Sequence, residues 1–194
     1  IDGNLSDWDA SDFLGQRNGA GFAFTWNENN LYFYWNGTDF YNDLEGADMF
    51  LYFSTSNSGS NLSKSWNFAE HNLPFSANYG LSIEDSNYYE FVEWNGSSWN
   101  VIESDGIEMY IGWSGNKASE IKLPLSYLGN PSNISLMAWA QWQHEANVWS
   151  SFPMLNSASE TGAEYFTHYY STALEENISS SEIQILSNSL KLDD

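Results

Sequence analysis

Apolar side chains alternate with other residues at a period of two along most of this chain. Phe22, Phe24 and Trp26 share one face of the first such run. The pattern recurs in four further runs, at 31–35, 47–53, 107–113 and 134–142. A period of two places successive side chains on opposite faces of a strand, whereas a helix has a period of about 3.6. The alternation therefore predicts half-buried strands joined by turns, with very little helix.

Shorter runs predict further strands at 79–85, 88–94, 98–103, 147–152 and 164–170. Asn95-Gly96-Ser97-Ser98 is typical of a tight hairpin turn, and the polar stretches 55–65 and 154–163 predict loops. Because 42% of the residues are hydrophobic and 18% are aromatic, the chain can bury a large core. We expect an all-β fold, an antiparallel and jelly-roll-like β-sandwich, in a single domain that covers residues 1–174.

The C-terminal part differs in composition from the rest. Residues 175–181 are polar, and 182–192 have the pattern of an extended segment. We therefore expect 175–194 to be a linker followed by a C-terminal strand. This strand either completes the same sandwich or pairs with another subunit, which would join copies into a homo-oligomer or polymer. The sequence leaves both arrangements open.

The charge of the chain excludes several kinds of partner. It has 26 Asp and Glu against 5 Lys and Arg, a net charge of −21 at pH 7. Nucleic acid and anionic lipid would repel such a chain, so we expect no nucleic-acid partner. No apolar run approaches the length of a membrane span, so we expect no membrane insertion. Without cysteine there are no disulfides, thiolate metal sites or cysteine nucleophiles.

Two features concern processing and modification of the chain. The chain starts at Ile1 rather than Met, so we expect a processed or excised N-terminus. Sequons for N-glycosylation, each close to a predicted turn, begin at Asn4, Asn36, Asn61, Asn95, Asn133 and Asn177.

Aromatic residues occupy both faces of several predicted strands, where an ordinary sandwich would have polar residues outside. Either additional segments cover the outer face and form a thicker core, or this face meets a ligand. Flat aromatic rings stack on sugar rings, while amides and acids bind the sugar hydroxyls. The candidate ligand-binding residues are Tyr32, Tyr34, Trp94, Trp99, Tyr110 and Trp139.

An acidic stretch lies between two predicted strands, at residues 39–48. Its four acids are Asp39, Asp43, Glu45 and Asp48, and it contains Gly46. Several hard oxygen ligands in a flexible loop suit Ca²⁺, although the spacing is not that of an EF-hand. The alternative is a solvated acidic loop. A smaller acidic group near the N-terminus consists of Asp2, Asp7, Asp9 and Asp12.

Three segments carry a resemblance to a known family. The opening Ile1-Asp2-Gly3-Asn4-Leu5-Ser6-Asp7-Trp8, the hairpin pattern of 22–39 and the stretch 120–129 occur in the order of the family 9-like carbohydrate-binding modules and their DOMON relatives. This resemblance implies an extracellular β-sandwich that binds a polysaccharide or glycan, or haem in some branches, and that often holds structural calcium.

In family 9 modules the ligand lies between two tryptophans, and Trp94 and Trp99, which flank one predicted turn, could form such a pair. The histidines needed for the haem branch form no recognisable ligand pattern here; they are His71, His144 and His168.

Catalytic motifs are missing from the sequence. There is no G-x-S-x-G, phosphate loop or HExxH, and among 26 acids no glycosidase pair can be nominated. We therefore expect a non-enzyme: an extracellular carbohydrate-binding or surface domain, stabilised by calcium. The alternative is a secreted structural subunit that self-assembles into a surface layer or filament.

Overall fold

The structure is a computed structural model that describes residues 1–17, 20–37, 47–66, 69–112, 118–143, 145–154, 156, 164–174 and 184–187. In chain order its strands are β1 (Phe13–Arg17), β2 (Ala20–Trp26), β3 (Asn30–Asn36), β4 (Ala47–Ser54), β5 (Ser60–Leu62), β6 (Asn72–Ala77), β7 (Tyr79–Ile83), β8 (Tyr89–Trp94), β9 (Trp99–Val101), β10 (Glu108–Tyr110), β11 (Ala118–Pro124), β12 (Asn133–Trp142), β13 (Val148–Phe152), β14 (His168–Ala173) and β15 (Gln184–Ser187). Three short 3₁₀ turns are η1 (Leu5–Asp7), η2 (Ala10–Asp12) and η3 (Leu125–Leu128).

Two antiparallel sheets form the sandwich. One has the order β1-β2-β3-β11-β10. The other has the order β15-β14-β12-β4-β7-β8-β9, with β13 also paired to β12, and a small third sheet pairs β5 with β6. The predicted all-β sandwich is confirmed, and the described residues contain no α-helix. Among these residues no helix is long and apolar enough to cross a membrane.

The inner core lies between the two large sheets. It takes alternate residues of each strand, as the period of two predicts: Phe22, Phe24, Leu31, Phe33, Trp35, Met49, Leu51, Phe53, Leu136 and Ala138 are all buried here. Rings of the two sheets meet across the core, for instance Phe33 and Phe53 with centroids 5.7 Å apart. Burial of each Phe, Leu or Met side chain stabilises the fold by about 1.5–3 kcal/mol relative to exposure.

A second core lies on the outer face of the eight-stranded sheet. Phe50, Tyr52 and Trp139 stack there, with ring centroids 4.8 Å apart for Phe50–Trp139 and 5.2 Å apart for Tyr52–Trp139. The strand β6 covers them with Leu73, Phe75 and Ala77, all buried. The outer aromatics of this sheet therefore belong to a thicker core, which was one of the two alternatives that the sequence left open.

The N-terminal segment covers the outer face of the five-stranded sheet. The ring of Trp8 lies against Tyr34, with centroids 5.6 Å apart, and Phe13 contacts the same ring edge-on at 5.8 Å. Glu120 in β11 holds this segment in place. Its carboxylate accepts hydrogen bonds from the backbone N–H of Asp2 (2.6 Å) and Gly3 (2.8 Å) and from the indole N–H of Trp8 (2.7 Å).

Some predicted bounds were wrong. The strand predicted at 107–113 is described only at Glu108–Tyr110, and the one predicted at 164–170 begins at His168. The predicted loop 55–65 contains β5. Within the predicted tail, β15 pairs antiparallel with β14, at the edge of the chain's own sheet.

Candidate functional site

The hairpin of β8 and β9 places two candidate tryptophans side by side. Trp94 and Trp99 are directly opposite each other in the ladder. The turn between them is fixed by Asn95, whose side-chain oxygen accepts the backbone N–H of Ser97 and of Ser98, both at 2.9 Å. Gly96 has a φ of +97°, a conformation that favours glycine. The sequence thus predicted this turn for the correct physical reason.

The two indoles contact each other and leave no slot between them. Their centroids are 5.5 Å apart and their planes are inclined at 64°, an edge-to-face arrangement. Trp99 is fixed on the sheet, because its N–H donates to the Leu62 carbonyl at 3.0 Å and its ring meets Tyr52 edge-on. The expectation of a ligand sandwiched between these two tryptophans does not fit this geometry.

Trp94 instead lines an open cleft at one end of the eight-stranded sheet. The cleft has a volume of ≈ 600 Å³, and its lining consists of Asn57, Ser58, Gly59, Ser76, Glu93, Trp94, Asn95 and Gly96. The Trp94 ring is half-buried, whereas Asn57, Ser58, Glu93 and Asn95 are exposed. The cleft thus combines one aromatic ring with amides, hydroxyls and a single carboxylate.

Asn78 ties the walls of this cleft together. Its side-chain oxygen accepts the backbone N–H of Thr55 (2.9 Å) and Ser56 (3.1 Å), and its amide donates to the Ser58 carbonyl. The backbone carbonyl of Asn78 accepts the backbone N–H of Trp94 at 2.8 Å. Through its side chain and its backbone, this one residue thereby orients the 55–58 loop against the strand that carries Trp94.

Gly59 lets this loop approach β6 closely. A Cβ at this position would lie 2.4 Å from the Ala77 carbonyl oxygen, a separation that a side chain cannot occupy. The loop wall therefore depends on a glycine at this point.

The six candidate ligand-binding residues do not form one site. Tyr32, Tyr34 and Tyr110 lie in the five-stranded sheet, and Trp94, Trp99 and Trp139 lie in the eight-stranded sheet. Tyr34 and Trp139 are only 2% and 1% exposed, so neither has a ring face for a ligand. Burial raises the pKa of the Tyr34 hydroxyl. Tyr32 and Tyr110 are half-buried, and the Tyr32 hydroxyl accepts a hydrogen bond from the Asn27 amide.

Of the four acids in the predicted calcium loop, Asp48 is described, and Asp39, Asp43 and Glu45 lie outside the described residues. Asp48 is fully buried, and its Oδ2 accepts the indole N–H of Trp66 at 2.7 Å.

Elsewhere, carboxylate oxygens of Asp2, Asp7 and Glu120 lie within 4.8 Å of one another. Both Glu120 oxygens already accept N–H groups, whereas Ca²⁺ takes about 6–8 oxygen ligands. This group of three carboxylates therefore fits calcium poorly.

The two described histidines, His71 and His168, make hydrogen bonds within the protein. His71 is buried; its Nδ1 accepts the backbone N–H of Glu164 at 3.0 Å, and its Nε2 lies 2.8 Å from the Gln141 side-chain oxygen. Both ring nitrogens are thus engaged by the protein. His168 contacts the Thr167 hydroxyl, and His144 lies outside the described residues.

No protein-family model, no curated protein and no solved structure matches this chain. The resemblance to family 9-like modules therefore stays a prediction, and the geometry of the cleft carries the functional argument by itself.

Proposed function

We propose that this protein is a non-catalytic binding domain for neutral glycans and that the Trp94 cleft is its binding site. The observation that carries the proposal is the half-buried Trp94 ring in a ≈ 600 Å³ cleft whose other polar side chains are hydroxyls, amides and the Glu93 carboxylate. Sugar rings need an apolar surface for their C–H groups and hydrogen-bonding partners for their hydroxyls, and this cleft offers both.

Charge favours a neutral ligand over an anionic one. The chain carries −21, and among the described residues Glu93 is the only ionisable one in the lining of the cleft. An acidic polysaccharide would be repelled by the whole protein as well as by Glu93. A neutral sugar meets no such penalty, and Glu93 can accept hydrogen bonds from its hydroxyls.

The single carboxylate also supports binding over hydrolysis. A glycosidase generally needs two carboxyl groups about 5–10 Å apart on either side of the scissile bond. In the part of the chain that the structure describes, the lining of the cleft provides one, Glu93. Calcium-dependent stability and a secreted or cell-surface location are parts of the same proposal. Exposed asparagines at the sequons starting at Asn4, Asn61, Asn95 and Asn133 are compatible with such a location.

The self-assembling subunit receives less support. Its proposed connector, the C-terminal strand, pairs with β14 of the same chain in this structure. A strand that pairs within its own sheet is not donated to a neighbour, but as an edge strand β15 can still pair with another chain on its outer side.

The test is a titration of the protein with neutral oligosaccharides, followed by tryptophan fluorescence and calorimetry. We expect saturable binding that Trp94→Ala removes and Trp94→Phe partly retains. Tyr165→Ala is the matched control, because this tyrosine is 72% exposed and lies outside the cleft. Equal affinity of Trp94→Ala and the wild type, or no binding to any neutral glycan, would contradict the proposal.

A further inference from the structure

The Trp94 cleft is one end of a longer strip on the outer side of β8. Beyond Trp94 the strip continues through Trp99 to Leu62, which Trp99 contacts through its indole N–H. It then passes to Lys64, whose Nζ lies 5.9 Å from the centroid of the Trp66 ring. It ends at Tyr88, whose ring centroid lies 5.8 Å from that of Trp66. Each member is joined to the next by a contact or by the chain itself.

The far end of this strip is an aromatic pair held in a fixed position. The Trp66 indole is anchored through its N–H to the buried carboxylate of Asp48, and its ring meets Phe50 edge-on. Tyr88 is 56% exposed and leans against Trp66 at 54°. An exposed tyrosine next to an immobilised indole provides apolar surface at little cost in side-chain entropy.

Polar groups lie between the two aromatic ends. Lys64 forms an ion pair with Glu90, and both side chains are about a quarter exposed. The backbone at Lys64 is held as well, because its N–H donates to the Tyr52 hydroxyl at 2.8 Å. The middle of the strip therefore offers a preorganised donor and acceptor, next to the 42% exposed side chain of Leu62.

The length of the strip follows from strand geometry. Tyr88 and Trp94 are six positions apart along β8 and the residue before it, a distance of about 20 Å at the usual rise of a strand. Tyr88 contacts Trp66, which in turn contacts Phe50 of the second core. Trp94 contacts Trp99, which contacts Tyr52 of the same core. The rings of Tyr88 and Trp94 therefore both lie on the outer side of the sheet. A single sugar unit fills only a part of this distance, so the strip suits an extended chain.

We propose that an extended, neutral oligosaccharide or polysaccharide chain lies along β8, with one part in the Trp94 cleft and another part on Trp66 and Tyr88. This inference rests on the proposed function and adds its ligand class: a chain bound along its length rather than a single terminal sugar. Charge decides against a second copy of this protein as the occupant. Two surfaces of chains that each carry −21 repel one another, whereas a neutral chain is not repelled.

The experiment measures affinity against chain length. Calorimetry follows binding of the gluco-, manno- and xylo-oligosaccharide series, from mono- to hexasaccharide, to the wild type, Tyr88→Ala, Tyr88→Phe and Trp94→Ala. In the series that binds, affinity should rise with length. Tyr88→Ala should weaken the hexasaccharide by roughly two- to tenfold and leave the disaccharide unchanged, while Tyr88→Phe keeps the wild-type values. Trp94→Ala should weaken every length.

The outcomes separate the two proposals. Binding that does not depend on length, or a hexasaccharide affinity unaffected by Tyr88→Ala, overturns the strip and leaves the Trp94 cleft standing. The absence of binding in all three series overturns both. Light scattering measures the oligomeric state of the wild type and of Tyr88→Ala. A wild-type dimer that Tyr88→Ala dissociates would show that a second copy of the chain occupies the strip, which overturns the proposal. Because Tyr88 is an exposed residue, its variants should unfold at the wild-type temperature.

Discussion

Replacing Glu120 with Gln should detach the N-terminal segment from the five-stranded sheet. The carboxylate accepts three hydrogen bonds from N–H groups, at 2.6, 2.8 and 2.7 Å, and the residue is only 3% exposed. Glutamine keeps one oxygen, which can serve Asp2 and Gly3. The NH₂ group of the glutamine then faces the indole N–H of Trp8. Because both groups are donors, this hydrogen bond is lost.

The decrease in the free energy of unfolding follows from the hydrogen bonds that are lost or weakened. A hydrogen bond to a charged group contributes about 1.5–3 kcal/mol, and the two bonds that remain become weaker because their acceptor is neutral. The total is about 2–4 kcal/mol. At roughly 2–4 °C per kcal/mol for a chain of this size, the melting temperature should fall by roughly 4–16 °C.

The assay is thermal unfolding together with limited proteolysis of the N-terminal segment. Glu108→Gln is the matched control: it makes the same chemical change in the neighbouring strand, where the exposed Glu108 pairs with Lys122. This control should barely change the melting temperature, because exposed ion pairs contribute little. Trp8→Phe removes the same indole bond, so its effect and that of Glu120→Gln should be strongly non-additive. Equal stability of Glu120→Gln and Glu108→Gln would refute the anchoring role of this carboxylate.

Three further predictions concern stability. Burial lowers the pKa of His71 below its usual value of 6.5, although contacts with Gln141 and Glu164 partly oppose this shift. Below about pH 6.5 the imidazole is therefore protonated in the unfolded chain but still neutral in the folded protein. Stability should therefore fall as the pH drops from 6.5 towards the lowered pKa, and His71→Gln should flatten the melting temperature over this window; an unchanged slope would rule out His71 as its source. Gly80→Ala should destabilise by about 1–3 kcal/mol, because its Cβ would lie 2.7 Å from the buried ring of Tyr52, and denaturant unfolding that matches the wild type would contradict this packing. Calcium at a hundredfold excess over its dissociation constant should stabilise the protein by about 2.7 kcal/mol if residues 39–48 bind it, whereas a melting curve unaffected by EDTA would eliminate structural calcium there.

The inner core was the part of the fold most accessible from the sequence. Alternation in β4 assigns Met49, Leu51 and Phe53 to one face, and the five-stranded sheet covers this face. The cover of the opposite face was harder to predict. In β6, Leu73, Phe75 and Ala77 alternate correctly, but Pro74 interrupts the run and argues against a strand in a sheet interior. In the described part of the chain, the ladder partner of β6 is the short β5, and only its first residue, Asn72, bridges to Tyr165, so Pro74 lies outside the two large sheets.

The candidate site was only partly accessible from the sequence. Trp94 could be nominated, because it flanks a recognisable turn and lies opposite Trp99. The remaining walls could not, since Asn57, Ser76 and Glu93 come from separate segments that only the folded chain brings together. Asn78, which joins these segments, is one of many asparagines and carries no local signal of its role. Burial of Trp139 was equally hidden, because alternation assigns a residue to a face and does not show what covers that face.

Indole N–H signals in a ¹H–¹⁵N NMR spectrum test the central claim most directly. The chain has ten tryptophans, which give separate probes of the cleft, the strip and the core. On titration with a neutral oligosaccharide we expect the signals of Trp94, Trp99 and Trp66 to shift in a saturable manner. Those of Trp35 and Trp139, both buried, should stay in place. A saturable shift confined to other tryptophans, or no shift with any neutral oligosaccharide, would contradict the account.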